Sequence, residues 1–297
     1  MPEQFVNQFT AEGVSFSMQD HIMLIKVANE FATATITTHG ASVLSFIPKG
    51  ADDLLWVSPM AVYNGEKPIR GGIPICWPWF GGAKQAGLPA HGFVRNTVWH
   101  LDHVSNMESG VTEVVLSIDS SQETLKLWPH DFHLELRIEV GEKLAVSLTT
   151  TNKSDHDIEI TEALHTYFNI KDATGLTISG LENSTQYDTL QTPNAVSKQA
   201  VDITLNPPMD SVFVNQSADI HIHDQANHRK ILIEKQQALS TVVWNPGSEI
   251  VKGFADIPDQ AWSDFVCVEA GNVFDNVVVI PAGEKHTMTM MLSHQSG

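Results

Sequence analysis

The sequence predicts an all-β fold, a large antiparallel β-sandwich built from stacked sheets. Short segments in which apolar and polar residues alternate recur along the chain, as in FHLELRIEV at 132–140, and a period of two is typical of a half-buried strand. Most of these segments are rich in Val, Ile and Thr and are bounded by Gly, Pro, Asn or Asp. No segment combines a helical apolar period with helix-capping residues.

The predicted strands follow one another along most of the chain. Residues 132–140 place Leu134, Leu136 and Ile138 on one face and charged residues on the other. Because only Gly-Glu separates this segment from KLAVSLTTTN at 143–152, the two segments predict a hairpin. The further predicted strands are residues 113–119, 176–181, 230–236, 240–246, 264–271 and 286–294. Such a series of strands favours stacked antiparallel sheets.

The composition limits the kind of protein that this chain can be. With 42% hydrophobic and 18% charged side chains in 297 residues, the chain can build a substantial core. We expect one domain over residues 1–297, because no linker, low-complexity tract or fixed repeat is visible and large all-β domains often exceed about 200 residues. The net charge of −18 argues against a nucleic-acid partner.

Two further features bear on where the protein acts. The two cysteines, Cys76 and Cys267, fit a reduced compartment better than a disulfide framework. The N-terminal segment lacks the basic start and apolar run of a signal peptide, and no segment approaches the roughly 18 apolar residues of a membrane span. We therefore expect a cytoplasmic protein without a membrane partner, and a monomer, since no association surface is evident.

The densest unusual segment is RGGIPICWPWFGGAKQAGLPAHGFVRN at residues 70–96. Its glycines and prolines predict an irregular loop, and such loops on a sheet scaffold often carry binding residues. Trp77 and Phe80 could face a sugar ring. Arg70 and Arg95 could bind a phosphate or a carboxylate in a forked geometry. A loop that only anchors its aromatic side chains in the core explains the composition equally well.

Two titratable residues stand in segments that the pattern predicts to be buried. His165 lies among apolar residues in EALHTYFNI, and a buried imidazole needs partners for both ring nitrogens. Glu269 in FVCVEAGNV shares a strand face with Cys267, and a buried carboxylate is costly unless it is paired. Together they could supply a general acid and a general base. A satisfied core histidine and a structural salt bridge are the alternatives, because sequence spacing does not show that the side chains meet.

The segment HIHDQANH at 221–228 invites a metal-site interpretation, because His221 and His223 share one face of a predicted strand. However, DQANH is typical of a hairpin tip, and no cysteine or carboxylate cluster completes a ligand set. We therefore expect no metal here.

Four segments occur in the order RGGIPICWPWFG, LPAHGFVRN, ALHTYFN and FVCVEAGN, and WPHDF and VVWNPG fit the same pattern. Together they resemble the hexose-6-phosphate mutarotases (glucose-6-phosphate 1-epimerases), a branch of the aldose 1-epimerase superfamily. The resemblance implies a galactose-mutarotase-like β-sandwich of the supersandwich type. It also implies an enzyme that interconverts the α and β anomers of an aldohexose 6-phosphate, foremost glucose 6-phosphate, without a metal or an organic cofactor.

The resemblance implies a role for each residue of a candidate site. His165 matches the catalytic acid and Glu269 the catalytic base of the family. Arg70 and Arg95 match the arginines that bind the sugar phosphate. His91, in LPAHG, matches a histidine that contacts the substrate.

Further substrate contacts follow from the same resemblance. Asp188, in TQYDT, matches the family's substrate-binding aspartate, and Trp77, Phe80 and Trp244 are candidates for the walls of the sugar cleft. Some relatives have a substrate-contacting glutamine where this chain has Ala90. The sequence therefore leaves the preferred sugar open.

Three other functions fit part of the pattern. A non-catalytic carbohydrate-binding module would share the sandwich and its aromatic side chains but would not need Glu269. An aldose 1-epimerase for unphosphorylated galactose or glucose would use His165 and Glu269 without the two arginines. A metal-dependent sugar isomerase would use His221 and His223.

Overall fold

The chain folds into antiparallel sheets connected by turns and by a few longer loops. A computed structural model of the protein describes residues 8–296. The strands are β1 (Val14–Gln19), β2 (Ile22–Ala28), β3 (Ala32–Thr37), β4 (Val43–Pro48), β5 (Ile75–Cys76), β6 (His100–Asn106), β7 (Thr112–Asp119), β8 (Phe132–Val140), β9 (Leu144–Asn152), β10 (Ile158–Ile160), β11 (Glu162–Leu164), β12 (Tyr167–Asn169), β13 (Thr177–Ser179), β14 (Thr185–Asp188), β15 (Ala195–Lys198), β16 (Ile203–Thr204), β17 (Met209–Val214), β18 (Ile220–Asp224), β19 (Arg229–Gln236), β20 (Ser240–Asn245), β21 (Phe265–Asn272), β22 (Val278–Ile280) and β23 (Lys285–Ser296).

Helices are short in the part of the chain that the structure describes. They are α1 (Gln122–Leu127) and α2 (Gly247–Ile250), with 3-10 turns at Val94–Asn96, Gln225–Asn227, Val251–Gly253 and Ala261–Ser263. α1 begins with a capping box, in which the Ser121 hydroxyl accepts from the Thr124 amide and the Thr124 hydroxyl accepts from the Ser121 amide. Within residues 8–296, no helix is long and apolar enough to cross a membrane.

Two large sheets contain most of the strands. The nine-stranded sheet has the order β16-β13-β18-β19-β23-β9-β8-β7-β6. The eight-stranded sheet has the order β15-β14-β17-β20-β21-β11-β5, and β12 also pairs with β21. A four-stranded sheet, β1-β2-β3-β4, and the pair β10-β22 complete the fold. The pairings between these strands are antiparallel, so the predicted all-β antiparallel fold is confirmed.

The main core contains apolar side chains from both large sheets. Leu134, Leu136 and Ile138 of β8 contribute from the nine-stranded sheet, and Val266 and Val268 of β21 contribute from the eight-stranded sheet. The alternation in the sequence predicted the first group, because every second residue of a strand points to the same face. β8 covers the predicted residues 132–140, whereas the predicted strand 176–181 is shorter, Thr177–Ser179.

The other face of the eight-stranded sheet is also covered, and it carries the candidate site. Phe265, Cys267 and Glu269 alternate with the core residues of β21 and are fully buried or nearly so. Phe265 and Cys267 pack in a second apolar cluster with Trp56 and Val251. The prediction that Cys267 and Glu269 share a face is therefore confirmed. Burial on both sides explains why β21 carries apolar residues on both faces instead of alternating apolar with polar residues.

Candidate active site

The two candidate proton-transfer residues lie opposite each other on neighbouring strands. In the pairing of β11 with β21, Leu164 lies opposite Ala270. The next pair in this register is His165 and Glu269, and the register is unchanged where β12 continues the pairing with β21. Opposite residues of an antiparallel pair project from the same face of the sheet. The strand register therefore brings the imidazole to the carboxyl group.

His165 and Glu269 are in contact and shielded from solvent. Nε2 of His165 lies 3.4 Å from Oε1 of Glu269, and the two side chains are 11% and 1% exposed. The remaining polar atoms, His165 Nδ1 and Glu269 Oε2, are buried and find no hydrogen-bond partner in the described part of the chain. Buried polar atoms without partners are uncommon, and a catalytic role is one explanation for them.

Burial dominates the ionisation of this pair. It lowers the pKa of His165 well below the usual value, and His91, Arg95 and Arg70 lower this pKa further. It also raises the pKa of Glu269 well above the usual value. Both shifts disfavour the charged forms. In the free protein we therefore expect a neutral imidazole beside a protonated carboxyl group, and not the two opposite charges that the ordinary pKa values of these groups would give near neutrality.

A cavity of about 590 Å³ opens above the pair. This volume lies within the range of about 300–1,000 Å³ that is typical of small-molecule sites. Among its lining residues are most of those predicted from the sequence, namely Arg70, Phe80, His91, Arg95, His165, Trp244 and Glu269.

His91 presents a neutral N–H group to the cavity. Its ring stands edge-on to the His165 ring, with 5.8 Å between the ring centroids. Nδ1 of His91 accepts the backbone N–H of Gly81 at 3.3 Å. Because an acceptor nitrogen carries no proton, the proton of the neutral ring is on Nε2. Burial and the two arginines, Arg95 and Arg70, lower the pKa of His91 to about 3, so the ring remains neutral near pH 7.

A left-handed backbone places the His91 ring. His91 has φ of +62°, and the next residue, Gly92, has φ of +73°. A Cβ atom on Gly92 would lie 1.8 Å from the carbonyl oxygen of Trp77. Only glycine fits such a close approach of two backbone segments. The His-Gly dipeptide of LPAHG is therefore a geometric requirement of this loop.

Arg70 is held in place by two neighbours. Its Nε donates to Asp256 Oδ2 at 3.0 Å, and its Nη1 donates to the Tyr167 hydroxyl at 3.0 Å. The guanidinium carbon lies 5.3 Å from the centroid of the Phe254 ring. These contacts leave other N–H groups of the guanidinium free to bind a ligand, because arginine carries five donors. A fixed guanidinium of this kind suits bidentate anion recognition.

Arg95 projects from the loop that follows β5. Its Nη2 donates to the carbonyl oxygen of Ala90 at 2.9 Å. Its Nε is buried and has no hydrogen-bond partner within residues 8–296. Arg95 and Arg70 thus bring two positive charges to one side of a cavity in a strongly acidic protein.

Aromatic rings surround the proton-transfer pair. The Tyr167 ring stacks on the His165 ring, with centroids 4.9 Å apart and an interplanar angle of 12°. Trp244 meets His165 edge-on at 6.1 Å, and Phe80 meets His91 edge-on at 4.8 Å. Phe80 and Trp244, both predicted as walls of the cleft, line the cavity.

The prediction that Trp77 forms a wall of the cleft is wrong. Its side chain is 0% exposed in the main core, where the ring packs on Phe132 and Nε1 donates to the Thr150 hydroxyl at 3.0 Å. Alternation along the strand is the physical reason. Ile75 faces the main core and Cys76 faces the outer side, so the residue after Cys76 faces the core again.

Asp188 lies outside the set of residues that line the cavity. Its carboxylate accepts the Leu190 amide at 3.1 Å and the Gln191 side chain at 2.7 Å, which stabilises the turn after β14. The aspartate at the cavity is Asp210 on β17, opposite Trp244 in the sheet. Burial raises the pKa of Asp210. The sequence signal for Asp210 was its position as the second residue of a strand segment, MDSVFV, that is otherwise mostly apolar.

Among the cavity-lining residues that were not predicted from the sequence are Tyr167, Asp210 and Phe254. Tyr167 was detectable, because it lies two residues after His165 and therefore on the same strand face. Phe254 follows a 3-10 turn in a segment without periodicity, so no sequence pattern pointed to it.

The two histidines of β18 do not assemble a metal centre. Their ring centroids are 6.3 Å apart, and Nε2 of His223 shares a hydrogen bond with the Ser179 hydroxyl at 2.9 Å. In residues 8–296, no group of three or more His, Cys, Asp or Glu side chains is placed to hold a metal ion.

Comparison with known families decides the family of the chain. Residues 23–293 match the family model for aldose 1-epimerase, a range that includes His165, Glu269 and both arginines of the cavity. The chain belongs to the aldose 1-epimerase family. The prediction of a sugar isomerase is thereby confirmed.

Individual relatives agree with this assignment. A protein of Escherichia coli (strain K12), provisionally named a glucose-6-phosphate 1-epimerase, is 37% identical to this epimerase over 250 residues, or 84% of this chain and 83% of the relative. A crystal structure from Salmonella typhimurium, provisionally named a mutarotase, superposes with a TM-score of 0.87 at 32% identity, covering 96% and 94% of the two chains.

The predicted fold type is confirmed by a more distant structure. A galactose mutarotase-like protein from Clostridium acetobutylicum has a TM-score of 0.74 at 15% identity and covers 96% of this chain and 98% of its own. Identity this low shows the shared fold alone.

Proposed function

We propose that this epimerase interconverts the α and β anomers of an aldohexose 6-phosphate, with glucose 6-phosphate as the preferred substrate. The observation that carries the proposal is the opposition of His165 and Glu269 at 3.4 Å in a cavity that Arg70 and Arg95 also line. A proton donor, a proton acceptor and an anion-binding side are what this reaction needs. The provisional name of the Escherichia coli relative agrees with it.

The first chemical step opens the sugar ring. The reactive form of the pair is reached when the proton of Glu269 passes to His165, whose Nε2 lies 3.4 Å from Oε1 of Glu269. Protonated His165 then donates a proton to the ring oxygen, while ionised Glu269 accepts the proton of the anomeric hydroxyl. The bond between C1 and the ring oxygen breaks, and C1 becomes an aldehyde. His165 is then neutral and Glu269 is protonated, so no proton enters or leaves the site.

Rotation and closure complete the reaction. Rotation about the C1–C2 bond turns the other face of the aldehyde towards the attacking hydroxyl. Glu269 returns its proton to the carbonyl oxygen, and His165 takes the proton of the hydroxyl that closes the ring. The pair ends in its starting state, as the reversibility of the reaction requires. Each positioned proton-transfer group typically contributes a factor of about 10²–10⁴ in rate.

The remaining side chains orient the substrate. Arg70 and Arg95 would hold the phosphate, which uses the binding energy of a remote group to align C1 with the proton-transfer pair. Phe80 and Trp244 would pack on the ring and exclude water. Asp210 would accept a hydrogen bond from a sugar hydroxyl.

The proposal is tested by anomer exchange in glucose 6-phosphate. Magnetisation-transfer NMR measures the exchange with and without the protein, with free glucose as the comparison. We expect fast exchange for the phosphorylated sugar and much slower exchange for glucose. Equal acceleration of both sugars would favour an epimerase of unphosphorylated aldoses, and acceleration of neither would favour a sugar-binding protein without catalysis.

The Glu269→Gln variant tests the proposed base. It keeps the size of the side chain but removes the carboxylate, so we expect exchange in glucose 6-phosphate to slow by a factor of about 10²–10⁴. Glu108→Gln is the matched control, because Glu108 is an exposed surface glutamate. An unchanged exchange rate in Glu269→Gln would contradict the proposed mechanism.

A further inference from the structure

Phe274 has a backbone conformation that large side chains rarely adopt. Its φ is +55°, in the left-handed region, where a bulky residue is an outlier that persists only when its surroundings impose it. Such outliers cluster at functional sites. Phe274 follows β21, the strand that carries Glu269, and it lines the catalytic cavity. The strained backbone therefore places an aromatic residue at the candidate active site.

The turn that contains Phe274 is anchored by several contacts. The Asn276 amide donates to the carbonyl oxygen of Val273 at 3.1 Å. The Ser240 hydroxyl donates to the same oxygen at 3.0 Å and accepts the Val273 amide at 3.2 Å. The Phe274 ring packs on the Tyr187 ring, with 5.2 Å between the centroids. The fold thus fixes the position of the Phe274 ring.

A further cavity of about 450 Å³, here called the side cavity, adjoins the catalytic cavity at this ring. Phe80, Gly82 and Phe274 line both cavities. Because glycine has no side chain, the two phenylalanines supply the side chains of the shared wall. Phe80 also packs edge-on against the His91 ring, whereas Phe274 packs on Tyr187, outside the residues that line the catalytic cavity. Phe274 is therefore the part of this wall that can be removed without disturbing His91.

Phe274 lies beyond Glu269 as seen from Arg70. Cys267 comes two residues before Glu269 on β21 and lies opposite Tyr167 on β12. The Tyr167 hydroxyl accepts a hydrogen bond from Arg70, so Arg70 lies at the Cys267 end of the site. Phe274 comes five residues after Glu269, past the other end of the strand. The order along β21 is thus Arg70, then Glu269, then Phe274.

The proposed mechanism aligns the sugar along the same direction. It places the phosphate on C6 at Arg70 and Arg95, and it places C1 at Glu269. In a pyranose ring, C2 lies opposite C5, the carbon that bears C6. The substituent on C2 therefore points towards the end of the cavity at which Phe274 lies.

We propose that Phe274 is a specificity-determining residue, whose ring limits the substituent on C2 of the substrate to about the size of a hydroxyl group. A 2-acetamido sugar phosphate, such as N-acetylglucosamine 6-phosphate, would place its acetyl group where the ring stands. Removal of the ring opens the side cavity to the acetyl group, and Gln85 and Thr161 in that cavity offer hydrogen-bond partners for an amide. The inference rests on the proposed function and deepens it.

The test compares three sugar phosphates that differ only at C2. Magnetisation-transfer NMR measures anomer exchange in glucose 6-phosphate, glucosamine 6-phosphate and N-acetylglucosamine 6-phosphate, each against a protein-free blank. Glucosamine 6-phosphate lacks only the acetyl group of the third sugar, and its amino group is as small as a hydroxyl. With the parent protein we expect kcat/KM for the first two sugars to agree within about tenfold, and kcat/KM for the third to be at least about 100-fold lower.

Two variants remove the ring. Phe274→Ala leaves the backbone strained, whereas Phe274→Gly removes the ring and suits the positive φ, which protects the fold. Both should raise kcat/KM for N-acetylglucosamine 6-phosphate roughly 10- to 100-fold while changing kcat/KM for glucose 6-phosphate by only about a few-fold. Phe31→Ala is the matched control, because Phe31 is also a partly buried phenylalanine but lies outside the residues that line the two cavities. It should show no such gain.

The outcomes separate this inference from the proposed function. Equal kcat/KM for N-acetylglucosamine 6-phosphate and glucose 6-phosphate in the parent protein would overturn the inference without any variant. It would also be overturned if the Phe274 variants exchanged glucose 6-phosphate but gained nothing with the acetylated sugar. Absence of exchange in glucose 6-phosphate with the parent protein would overturn the proposed function, and the inference with it.

Discussion

His91 shows how the site keeps a histidine uncharged beside two cations. Its Nδ1 accepts a hydrogen bond from the Gly81 amide, and its side chain lines the same cavity as Arg70 and Arg95. A protonated ring would lose the hydrogen bond from the amide and would face the two guanidinium groups. Neutrality leaves Nε2–H as a donor for a sugar oxygen.

This arrangement predicts an acid-sensitive contribution to stability. The pKa of His91 is lowered to about 3 in the folded protein, from its ordinary value of 6.5. As the pH falls from about 7 to about 5, the unfolded chain gains a proton that the folded protein does not take up. The free energy of unfolding therefore falls by about 2 kcal/mol. In His91→Asn this loss should be absent, because asparagine tolerates the left-handed backbone and its side-chain oxygen can accept the Gly81 amide.

Urea unfolding at the two pH values measures this difference. His228→Asn is the matched control, because His228 also has a left-handed backbone, with φ of +50°, but is exposed. It should keep the acid sensitivity of the parent protein. The interpretation fails if His91→Asn loses as much stability on acidification as the parent does.

At the scale of strands, alternation predicted much of the fold and part of the site. It placed Cys267 and Glu269 on one face of β21, as observed. The same rule would have assigned Trp77 to the core, but the Gly/Pro-rich composition of 70–96 obscured the short strand β5. The pairing of β11 with β21 was beyond prediction, since strands about a hundred residues apart leave no local signal of their register.

Gly271 keeps β11 and β21 in the register and at the distance that the site needs. A Cβ atom on Gly271 would lie 2.6 Å from the carbonyl oxygen of Glu162 and 3.0 Å from the Cβ atom of Ala163. Gly271→Ala should push β11 away from β21 and misplace His165 relative to Glu269. We expect kcat to fall roughly 10- to 100-fold, the cost of a displacement near 1 Å between reacting groups.

The effect on kcat must be separated from a loss of stability. Gly50→Ala is the control, because Gly50 also has a backbone that disfavours alanine, with φ of +79°, but no other residue comes near its Cβ position. It should lower the melting temperature and leave kcat unchanged. Equal kcat values for Gly271→Ala and the parent, measured well below both melting temperatures, would contradict the role of Gly271.

For the whole molecule, the two large sheets are joined by a buried polar contact as well as by the apolar core. Lys235 on β19 of the nine-stranded sheet donates to the Thr241 hydroxyl on β20 of the eight-stranded sheet at 2.7 Å. It also donates to the carbonyl oxygen of Gln216 at 3.1 Å and to the Gln216 side chain. The alternation of β19 predicts that Lys235 points inward with Ile231 and Ile233, whereas its partners are set by the stacking of the sheets.

This buried lysine should make the stability of the protein rise with pH. Burial lowers the pKa of Lys235 to about 7, from its ordinary value of 10.5. Between these values the unfolded chain holds a proton that the folded protein releases, so stability rises as the pH increases. From about pH 7 to about pH 9, the free energy of unfolding of the parent protein should rise by about 2 kcal/mol more than that of Lys235→Met.

Chemical unfolding at both pH values compares the parent protein with two methionine variants. Lys230→Met is the matched control, because Lys230 lies on the same strand with its side chain on the opposite face. It should show the same gain in stability as the parent protein, whereas Lys235→Met should lack that gain. If the parent and Lys235→Met respond equally to pH, the ammonium group stays charged in the fold. The three hydrogen bonds around it would then outweigh its burial, and the contact between the sheets would be a permanent buried charge.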